Sequence, residues 1–220
     1  MKRLTSIVAV NHDKVIGAGN TLPWRLRTDM RFFRETTLKN VVLMGRKTYD
    51  SLGKKPLGGR YNVVVSHNFG LIEDSPACTL ATGIDDALFR ATRAPRGYKE
   101  HFVIGGASMY DQLAPYVDRY LITLVDKYVS AGDTFFDDSF LHDPEQWDLR
   151  ELFSQQEGDF DEASFTVFEI VSKDPVAFAN RRREAVVRAE SEATSGSRKR
   201  LRSVSRADFS SGEQAAYSMF

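Results

Sequence analysis

Five short runs rich in valine and isoleucine recur along the first 125 residues, and stretches of helical composition lie between them. The runs lack a strict alternation of apolar and polar residues, which is typical of strands covered on both faces. A chain in which strands and helices alternate is expected to form an α/β sheet with mostly parallel neighbours. The predicted strands are 4–10, 41–44, 61–65, 101–104 and 120–125, and the predicted helices are 24–37, 46–52, 84–94 and 108–113.

The pattern changes further along the chain, where residues 147–153 and 163–171 have the composition of two strands with an acidic turn between them. They predict an antiparallel hairpin at the edge of the sheet. Asp174 and Pro175 then close the compact region. We therefore expect one domain over residues 1–173 and an extension over 174–220.

The extension is rich in arginine and serine. Its first part, residues 175–193, predicts a mostly polar helix with a thin apolar stripe at Phe178, Ala185 and Ala189. Residues 194–211 have too few apolar side chains to form a packed structure alone. The extension is therefore predicted to be partly helical or disordered.

The formal charge of the chain is zero, but it is unevenly distributed. Residues 174–220 contain nine basic and six acidic side chains, so residues 1–173 carry a net charge of −3. The main body is therefore not expected to bind a polyanion such as a nucleic acid. The basic segment 198–202 leaves binding of a nucleic acid or an acidic surface open, although a solvated tail is the favoured interpretation.

Cysteine and histidine are too few to suggest disulfide or metal chemistry. Cys78 is the single cysteine, which excludes an internal disulfide, and four scattered histidines give no metal-ligand cluster. The apolar run at 4–10 is too short for a signal peptide or a membrane span and breaks at Asn11. We expect a cytoplasmic protein with no bound metal and no membrane contact.

Asp29 is an acid on an otherwise apolar helix face. If a helix begins just after Trp24, then Leu26, Asp29, Met30 and Phe33 share the inward stripe. A buried carboxylate is unfavourable unless it has a structural partner, a ligand or a catalytic task. The alternative is an acid that merely favours the positive amino-terminal end of the helix, and the spacing alone leaves both interpretations open.

Two strand-to-helix turns have the composition of phosphate-binding sites. Segment 103–110 runs from a predicted strand through Gly105 and Gly106 into a helix, where paired glycines permit close approach of a ligand. Segment 44–48 repeats this geometry and adds two cations and the hydroxyl of Thr48. Two such turns in one sheet suggest a dinucleotide at the carboxyl ends of the strands, although the usual G-x-G-x-x-G motif is absent after the first strand.

Taken together, the order and spacing of these residues between about 4 and 171 resemble the dihydrofolate reductase family. The resemblance implies a central, mostly parallel sheet of about eight strands with an antiparallel C-terminal edge hairpin, flanked by about four helices. It rests on Val15-Ile16-Gly17, Leu22-Pro23-Trp24, Asp29, Phe33, Met44-Gly45-Arg46-Lys47-Thr48, Gly58-Gly59-Arg60, Asn62, Val103-Ile104-Gly105-Gly106, Tyr110 and Gly132-Asp133-Thr134.

The resemblance also implies a reaction, the reduction of 7,8-dihydrofolate to 5,6,7,8-tetrahydrofolate by hydride transfer from NADPH. Asp29 would bond the 2-amino group and ring N3 of the pterin, with Thr123 as its partner, and an ordered water would deliver the proton. Arg60 would hold the α-carboxylate of the glutamyl tail. The implied catalytic set is Asp29, Leu22, Trp24, Tyr110 and Thr123, and the implied substrate pocket is Val8, Ala9, Asp29, Phe33, Leu52, Leu57, Arg60, Ile104 and Thr123.

For the cofactor, residues 17–22 would form a mobile lid over the nicotinamide, which Asp133 helps to hold closed. Some relatives have an arginine where Ser108 stands, so Lys47 and His67 would have to favour NADPH over NADH. The implied cofactor contacts are Ala9, Ile16, Gly17, Gly45, Arg46, Lys47, Thr48, Ser66, His67, Gly105, Gly106, Ala107, Ser108, Met109 and Tyr110.

Two other protein classes are compatible with parts of this pattern. A pyrimidine-type reductase of riboflavin synthesis shares the fold and the glycine pair, but Trp24, Asp29 and Arg60 suit a pterin and a glutamate better than a ribityl phosphate. A non-catalytic scaffold whose basic tail docks a partner is disfavoured because these residues and both glycine turns are intact. We expect a monomer that binds antifolates such as methotrexate and supports one-carbon metabolism, including thymidylate, purine and amino-acid synthesis.

Overall fold

A computed structural model describes residues 2–68, 70, 72 and 75–210, with side chains as far as residue 195. Within these residues, ten strands and five α-helices follow one another. The strands are β1 Leu4–Asn11, β2 Val15–Gly17, β3 Val41–Gly45, β4 Tyr61–Val65, β5 Cys78–Ala81, β6 His101–Val103, β7 Arg119–Val125, β8 Thr134–Phe135, β9 Trp147–Gln155 and β10 Phe165–Ser172. The helices are α1 Arg27–Thr37, α2 Arg46–Ser51, α3 Ile84–Thr92, α4 Ala107–Leu113 and α5 Pro175–Ser210.

Eight strands form the central sheet in the order β5-β4-β3-β6-β1-β7-β10-β9. The neighbours from β5 to β7 are parallel, whereas β10 runs antiparallel to both β7 and β9. This arrangement confirms the predicted α/β fold with an antiparallel C-terminal edge hairpin. Strands β2 and β8 pair with each other in a separate two-stranded sheet.

Strand β3 shows why the central strands lack alternation in their sequence. Val41 and Leu43 pack into one apolar cluster, whereas Val42 and Met44 pack into another. Successive side chains of a strand point to opposite faces, so both faces of the sheet are covered here. All four residues are fully buried.

Three short strands, β2, β5 and β8, were not predicted, because strands of two to four residues are too short for a periodic pattern. The predicted start of α1 was also wrong. The helix begins at Arg27 instead of Trp24, because Leu26 is extended and forms a β-bridge with Asp161. The stripe prediction fails at Met30, whose side chain is 50% exposed because it lines a cleft instead of packing on the sheet.

The first half of α5 packs against the main body. Ala185 and Ala189 are buried as predicted, and the ring of Phe178 lies 5.7 Å from that of Trp147. Arg182, expected on a polar surface, is instead fully buried: it forms a 3.0 Å ion pair with Asp118. The separation of residues 174–220 from the body as an extension stays a prediction.

Helix α5 continues to Ser210, although the composition of residues 194–211 favours disorder. Once an anchored turn exists, each further helical residue adds a hydrogen bond at little extra cost, which accounts for the continuation. The rest of the extension, 211–220, lies outside the described residues. Among the helices described, none is both long enough and apolar enough to cross a membrane.

Candidate active site

The carboxyl ends of the parallel strands bring four of the predicted site residues to one edge of the sheet. Ala9 on β1 and Thr123 on β7 are directly paired across the two central strands. Gly45 ends β3, and Ser66 follows β4 at the same edge. Crevices beyond the carboxyl ends of strands are the usual ligand sites of open α/β sheets.

Asp29 lies on the first turn of α1 and faces β7. Its side chain is buried, and Thr123 donates a 2.6 Å hydrogen bond from Oγ1 to Oδ1 of the carboxylate. Burial raises the pKa of Asp29, the hydrogen bond from Thr123 opposes this rise, and the charge of Asp161 adds to it. A buried acid with one protein donor retains acceptor capacity for a ligand.

A cleft of about 320 Å³ opens beside this carboxylate. Trp24 forms part of its wall, and among the described residues no acceptor pairs with the buried indole N–H. Leu22, in the same wall, is 52% exposed. The complete lining is Leu22, Trp24, Arg25, Leu26, Arg27, Asp29 and Met30.

Apolar side chains from several elements extend the site. Phe33, Leu52 and Leu57 are half-buried and pack against the cluster that contains Ile104. Val8 is buried, and Ala9 is half-buried beside Thr123 in the sheet register. These predicted pocket residues therefore lie either on α1, which carries Asp29, or on segments next to it.

Arg60 is a buried cation near the far end of α1. Its guanidinium donates to Thr37 Oγ1 at 2.9 Å, to the Gly58 carbonyl at 3.1 Å and to the Arg34 carbonyl at 3.4 Å. Within the described part of the chain, no carboxylate forms an ion pair with it. Burial, assisted by the charge of Arg34, lowers the pKa of Arg60, so an anionic ligand group here would be strongly stabilised.

The two glycine turns meet. The amide of Gly45 donates a 2.8 Å hydrogen bond to the carbonyl of Gly105. A Cβ at Gly45 would lie 3.1 Å from Met109 Cγ, and one at Gly105 would lie 3.1 Å from the Tyr110 hydroxyl. Gly105 also has a φ of 111°, which side-chain-bearing residues rarely adopt.

Tyr110 supports the second turn from inside the protein. Its hydroxyl donates a 2.9 Å hydrogen bond to the carbonyl of Ile7, and burial raises the pKa of the phenol. This geometry makes Tyr110 a buttress for the glycine pair and leaves its predicted catalytic role a prediction. Met109 is likewise buried, against Gly45.

The polar residues predicted to bind phosphate surround these turns. Arg46 is exposed and forms a 2.7 Å ion pair with Asp50, and Lys47 and His67 are also exposed. Thr48 is half-buried, 3.6 Å from where a Cβ of Gly106 would lie, and Ser66 is buried. Ala107 is half-buried, and Ser108 is exposed and bonds Gln112.

The predicted lid is joined to the Gly132-Asp133-Thr134 turn. Asp133 accepts a 2.9 Å hydrogen bond from the Gly19 amide, and its own amide donates to the Gly17 carbonyl at 3.1 Å. Hydrogen bonds from Thr134 and Gly19 lower the pKa of Asp133, so its carboxylate is ionised at neutral pH. Ile16 is buried at the base of this segment.

The residues of the β9–β10 turn that hold the start of α1 were not predicted from the sequence. Asp161 is 2% exposed and accepts two hydrogen bonds from Thr28, at 2.9 and 2.6 Å. Glu162 accepts a 2.9 Å bond from the amide of Arg25 and pairs with Lys127. These contacts span more than 30 residues of sequence, so no local pattern pointed to them.

The chain was compared with known proteins. A family model described as dihydrofolate reductase matches residues 3–172. Dihydrofolate reductase type 3 of Salmonella typhimurium is 38% identical over 135 residues, which cover 61% of this chain and 78% of that protein. The Bacillus subtilis dihydrofolate reductase is 34% identical over 159 residues, covering 72% and 86% of the two chains.

Among solved structures, the fold resembles that of dihydrofolate reductase from Enterococcus faecalis complexed with NADP(H) and RAB-propyl. The TM-score is 0.66 at 23% identity, over 78% of this chain and 97% of the other. The likeness of fold agrees with the family match, which spans more than half of the chain. On this evidence the chain belongs to the dihydrofolate reductase family.

Proposed function

We propose that this protein reduces 7,8-dihydrofolate to 5,6,7,8-tetrahydrofolate with NADPH as the hydride donor. The observation that carries the proposal is the buried carboxylate of Asp29, held by Thr123 beside the cleft. Beyond the bond from Thr123, the buried carboxylate keeps acceptor capacity for a ligand. A ligand that presents hydrogen-bond donors accounts for its presence.

Asp29 would accept hydrogen bonds from the 2-amino group and ring N3 of the pterin. The hydroxyl of Thr123 donates a hydrogen bond to Oδ1 of Asp29 and restrains the carboxylate, so the acid is oriented before the substrate binds. Phe33 and Ile104 would cover the faces of the pterin, and Leu52 and Leu57 the neighbouring aromatic ring. In this account Asp29 orients and polarises the substrate.

The proton would reach the pterin nitrogen through an ordered water. The indole N–H of Trp24 is buried beside Asp29 with no acceptor among the described residues, so it is available to such a water. Asp29 and Trp24 together would hold the water in place.

Arg60 would bind the α-carboxylate of the glutamyl tail through its planar guanidinium. Its side chain is held by Thr37 and the two backbone carbonyls, and its ring contact with Phe33 connects it to the pterin pocket. A carboxylate there would compensate a buried positive charge.

The residues at the two glycine turns fit a dinucleotide. Side chains at Gly45 and Gly105 would crowd Met109 and Tyr110, and glycine at both positions lets a ligand approach the backbone closely. Lys47, Thr48, Ser66 and His67 would hold the phosphates, with Ile16 and Gly17 at the nicotinamide end. When bound, the nicotinamide supplies the hydride, and the protein orients it and excludes water.

The cofactor preference follows from charge. Ser108 gives no positive charge to a 2′-phosphate, so Lys47 and His67 would have to recognise it. We expect a higher kcat/KM with NADPH than with NADH, and equal values would contradict this assignment.

In the cell, this activity would maintain the tetrahydrofolate pool for one-carbon metabolism and for thymidylate, purine and amino-acid synthesis. We infer that antifolates such as methotrexate compete at the Asp29 cleft, and that the protein acts in the cytoplasm as a monomer. The chain should restore growth without thymidine to a bacterial strain that lacks its own reductase. Failure of the expressed, folded protein to do so would contradict the cellular role.

The activity itself is tested by adding dihydrofolate and NADPH to the purified chain and following the loss of NADPH absorbance. Turnover that requires both substrates and is blocked by methotrexate supports the proposal. Folded protein that consumes no NADPH under these conditions would overturn it.

A further inference from the structure

Helix α1, which carries Asp29, has no cap of its own at its amino terminus. The N-cap position is Leu26, an apolar residue that cannot accept a hydrogen bond with its side chain. The first N–H groups of any helix need acceptors outside the helix. The acceptors for α1 must therefore come from another part of the protein.

The turn between β9 and β10, residues 156–164, supplies them. The carbonyl of Phe160 accepts a 3.1 Å bond from the amide of Arg27, and Asp161 Oδ1 accepts a 2.9 Å bond from the amide of Thr28. The other carboxylate oxygen of Asp161 accepts a 2.6 Å bond from the hydroxyl of Thr28. Both carboxylate oxygens of the buried Asp161 therefore accept hydrogen bonds from Thr28, the residue immediately before Asp29.

The same turn also fixes the segment that leads into the helix. Glu162 accepts a bond from the amide of Arg25 at 2.9 Å, and its own amide donates to the Arg25 carbonyl at 3.3 Å. Lys127 pairs with Glu162 and also donates to the Pro23 carbonyl. The segment from Arg25 to Thr28, which includes residues of the cleft wall, is therefore held by this turn.

We propose that Asp161 is a positioning residue for dihydrofolate reduction, which holds Thr28 so that the adjacent carboxylate of Asp29 is correctly placed in the cleft. The inference rests on the proposed function. Asp161 contacts neither substrate nor cofactor in this account, and it acts through Thr28.

Asp161 also influences Asp29 by its charge. A second carboxylate nearby disfavours ionisation of Asp29, in the same direction as burial. The hydroxyl of Thr123 on β7 also bonds Asp29, and the cations Arg25 and Arg27 line the same cleft. A neutral capping residue would affect stability but would not move the titration of Asp29.

Two substitutions at Asp161 separate these effects. Asp161→Asn keeps an oxygen for the Thr28 amide but removes the charge, whereas Asp161→Ala removes both. We expect Asp161→Ala to lower kcat/KM for dihydrofolate about tenfold or more, because small displacements of a positioning group are costly to catalysis. The Kd for NADPH, measured by fluorescence, should stay within about twofold because the glycine turns lie apart from the cap.

The Asp161→Asn variant provides a readout that the loss of a neutral cap would not produce. The acidic limb of its kcat/KM profile, and of methotrexate affinity against pH, should move to lower pH because ionised Asp29 is no longer opposed by a second charge. A matched control is Asp159→Asn, at an exposed acid of the same turn. The control should leave both pH profiles unchanged.

Thr28 variants keep the proposal testable if Asp161→Ala does not fold. Thr28→Val, which loses the hydroxyl bond, should lower kcat/KM, and Thr28→Ser should restore it. Wild-type kcat/KM for both Asp161→Ala and Thr28→Val, or an Asp161→Asn profile that coincides with the wild type, would overturn the inference. An inactive wild-type enzyme would contradict the proposed function instead, so the two failures are distinguishable.

Discussion

Thr123 and Asp29, separated by 94 positions in sequence, are joined by a 2.6 Å hydrogen bond from Oγ1 to Oδ1. The bond connects the central strand β7 to helix α1 and is buried at both ends. It favours the ionised form of Asp29 and so partly offsets the effect of burial. Burial and the hydrogen bond from Thr123 therefore shift the pKa of Asp29 in opposite directions.

Replacement of Thr123 by valine should raise the pKa of Asp29 further, because the hydrogen bond that favours the carboxylate is lost while burial is retained. The acidic limb of the kcat/KM profile should then move to higher pH. Steady-state kinetics across the acid range measure this shift, with Thr123→Ser as the control that keeps the hydroxyl. A valine profile that moves to lower pH, or does not move, would show that this bond does not govern Asp29.

Replacement of Asp29 by asparagine should stabilise the fold while it impairs function. The folded-state pKa of Asp29 is raised, so between the unfolded value and the folded value the native state binds more protons than the unfolded state. The free energy of unfolding of the wild type therefore falls as pH rises through that window. At neutral pH the asparagine variant should be more stable by about 1 kcal/mol, a common size for one stabilising substitution at a functional site.

Urea unfolding of both proteins from about pH 4 to about pH 7 measures this difference, which should be smallest at the acidic end. Asp159→Asn is the control at an exposed acid and should leave stability unchanged. If the difference in free energy of unfolding between the two proteins instead widens towards acidic pH, the folded-state pKa of Asp29 is lowered and not raised.

Replacement of Arg60 by lysine should weaken dihydrofolate binding, because an ammonium cannot present the planar fork that suits a carboxylate. We expect KM for dihydrofolate to rise about tenfold, in line with the loss of one charge-assisted hydrogen bond. A diaminopyrimidine inhibitor without a glutamyl tail is the matched control ligand, and its affinity should not change. Equal losses for both ligands would place Arg60 in a general structural role.

Replacement of Arg182 by alanine should destabilise the protein by about 3–5 kcal/mol, because it leaves the buried carboxylate of Asp118 without its partner. Arg182 also donates to the Tyr116 carbonyl, and Asp118 accepts from the amide of Leu4, so the pair ties α5 to the start of β1. Urea unfolding measures the loss. Arg183→Ala, at an exposed neighbour, should change stability by less than about 0.5 kcal/mol.

The folded fraction of Arg182→Ala should retain wild-type kcat/KM, since Leu4 lies at the amino end of its strand and the proposed site lies at the carboxyl ends. Unchanged stability would mean that α5 does not contribute to the fold as its contacts indicate. Lost activity in fully folded protein would instead connect α5 to the site.

The parallel part of the sheet was predictable because strands buried on both faces leave runs of valine and isoleucine, as β3 and β4 do. The glycine turns were predictable because glycines between a strand and a helix permit close approach of a ligand, and a Cβ at Gly45 or Gly105 would crowd Met109 or Tyr110. The placement of Asp29 required a distant partner, Thr123, which only the resemblance to the family indicated.

The contacts of Asp161 and Arg182 were not predictable from local sequence. Asp161 lies in an acidic turn whose composition is that of a solvated loop, and its burial depends on the approach of α1 from 133 positions away. Arg182 stands between two exposed arginines, and only the packing of α5 on the body distinguishes it. A side chain that bonds a distant helix or strand leaves no periodic pattern in its own stretch of sequence.

The central claim is that Asp29 anchors the substrate of a dihydrofolate reductase. The most direct test measures NADPH-dependent reduction of dihydrofolate by the wild type and by Asp29→Asn, with the fold of both checked by urea unfolding. The account predicts turnover by the wild type and a kcat/KM at least about a hundredfold lower in the equally well-folded variant. Wild-type activity in Asp29→Asn would contradict the account.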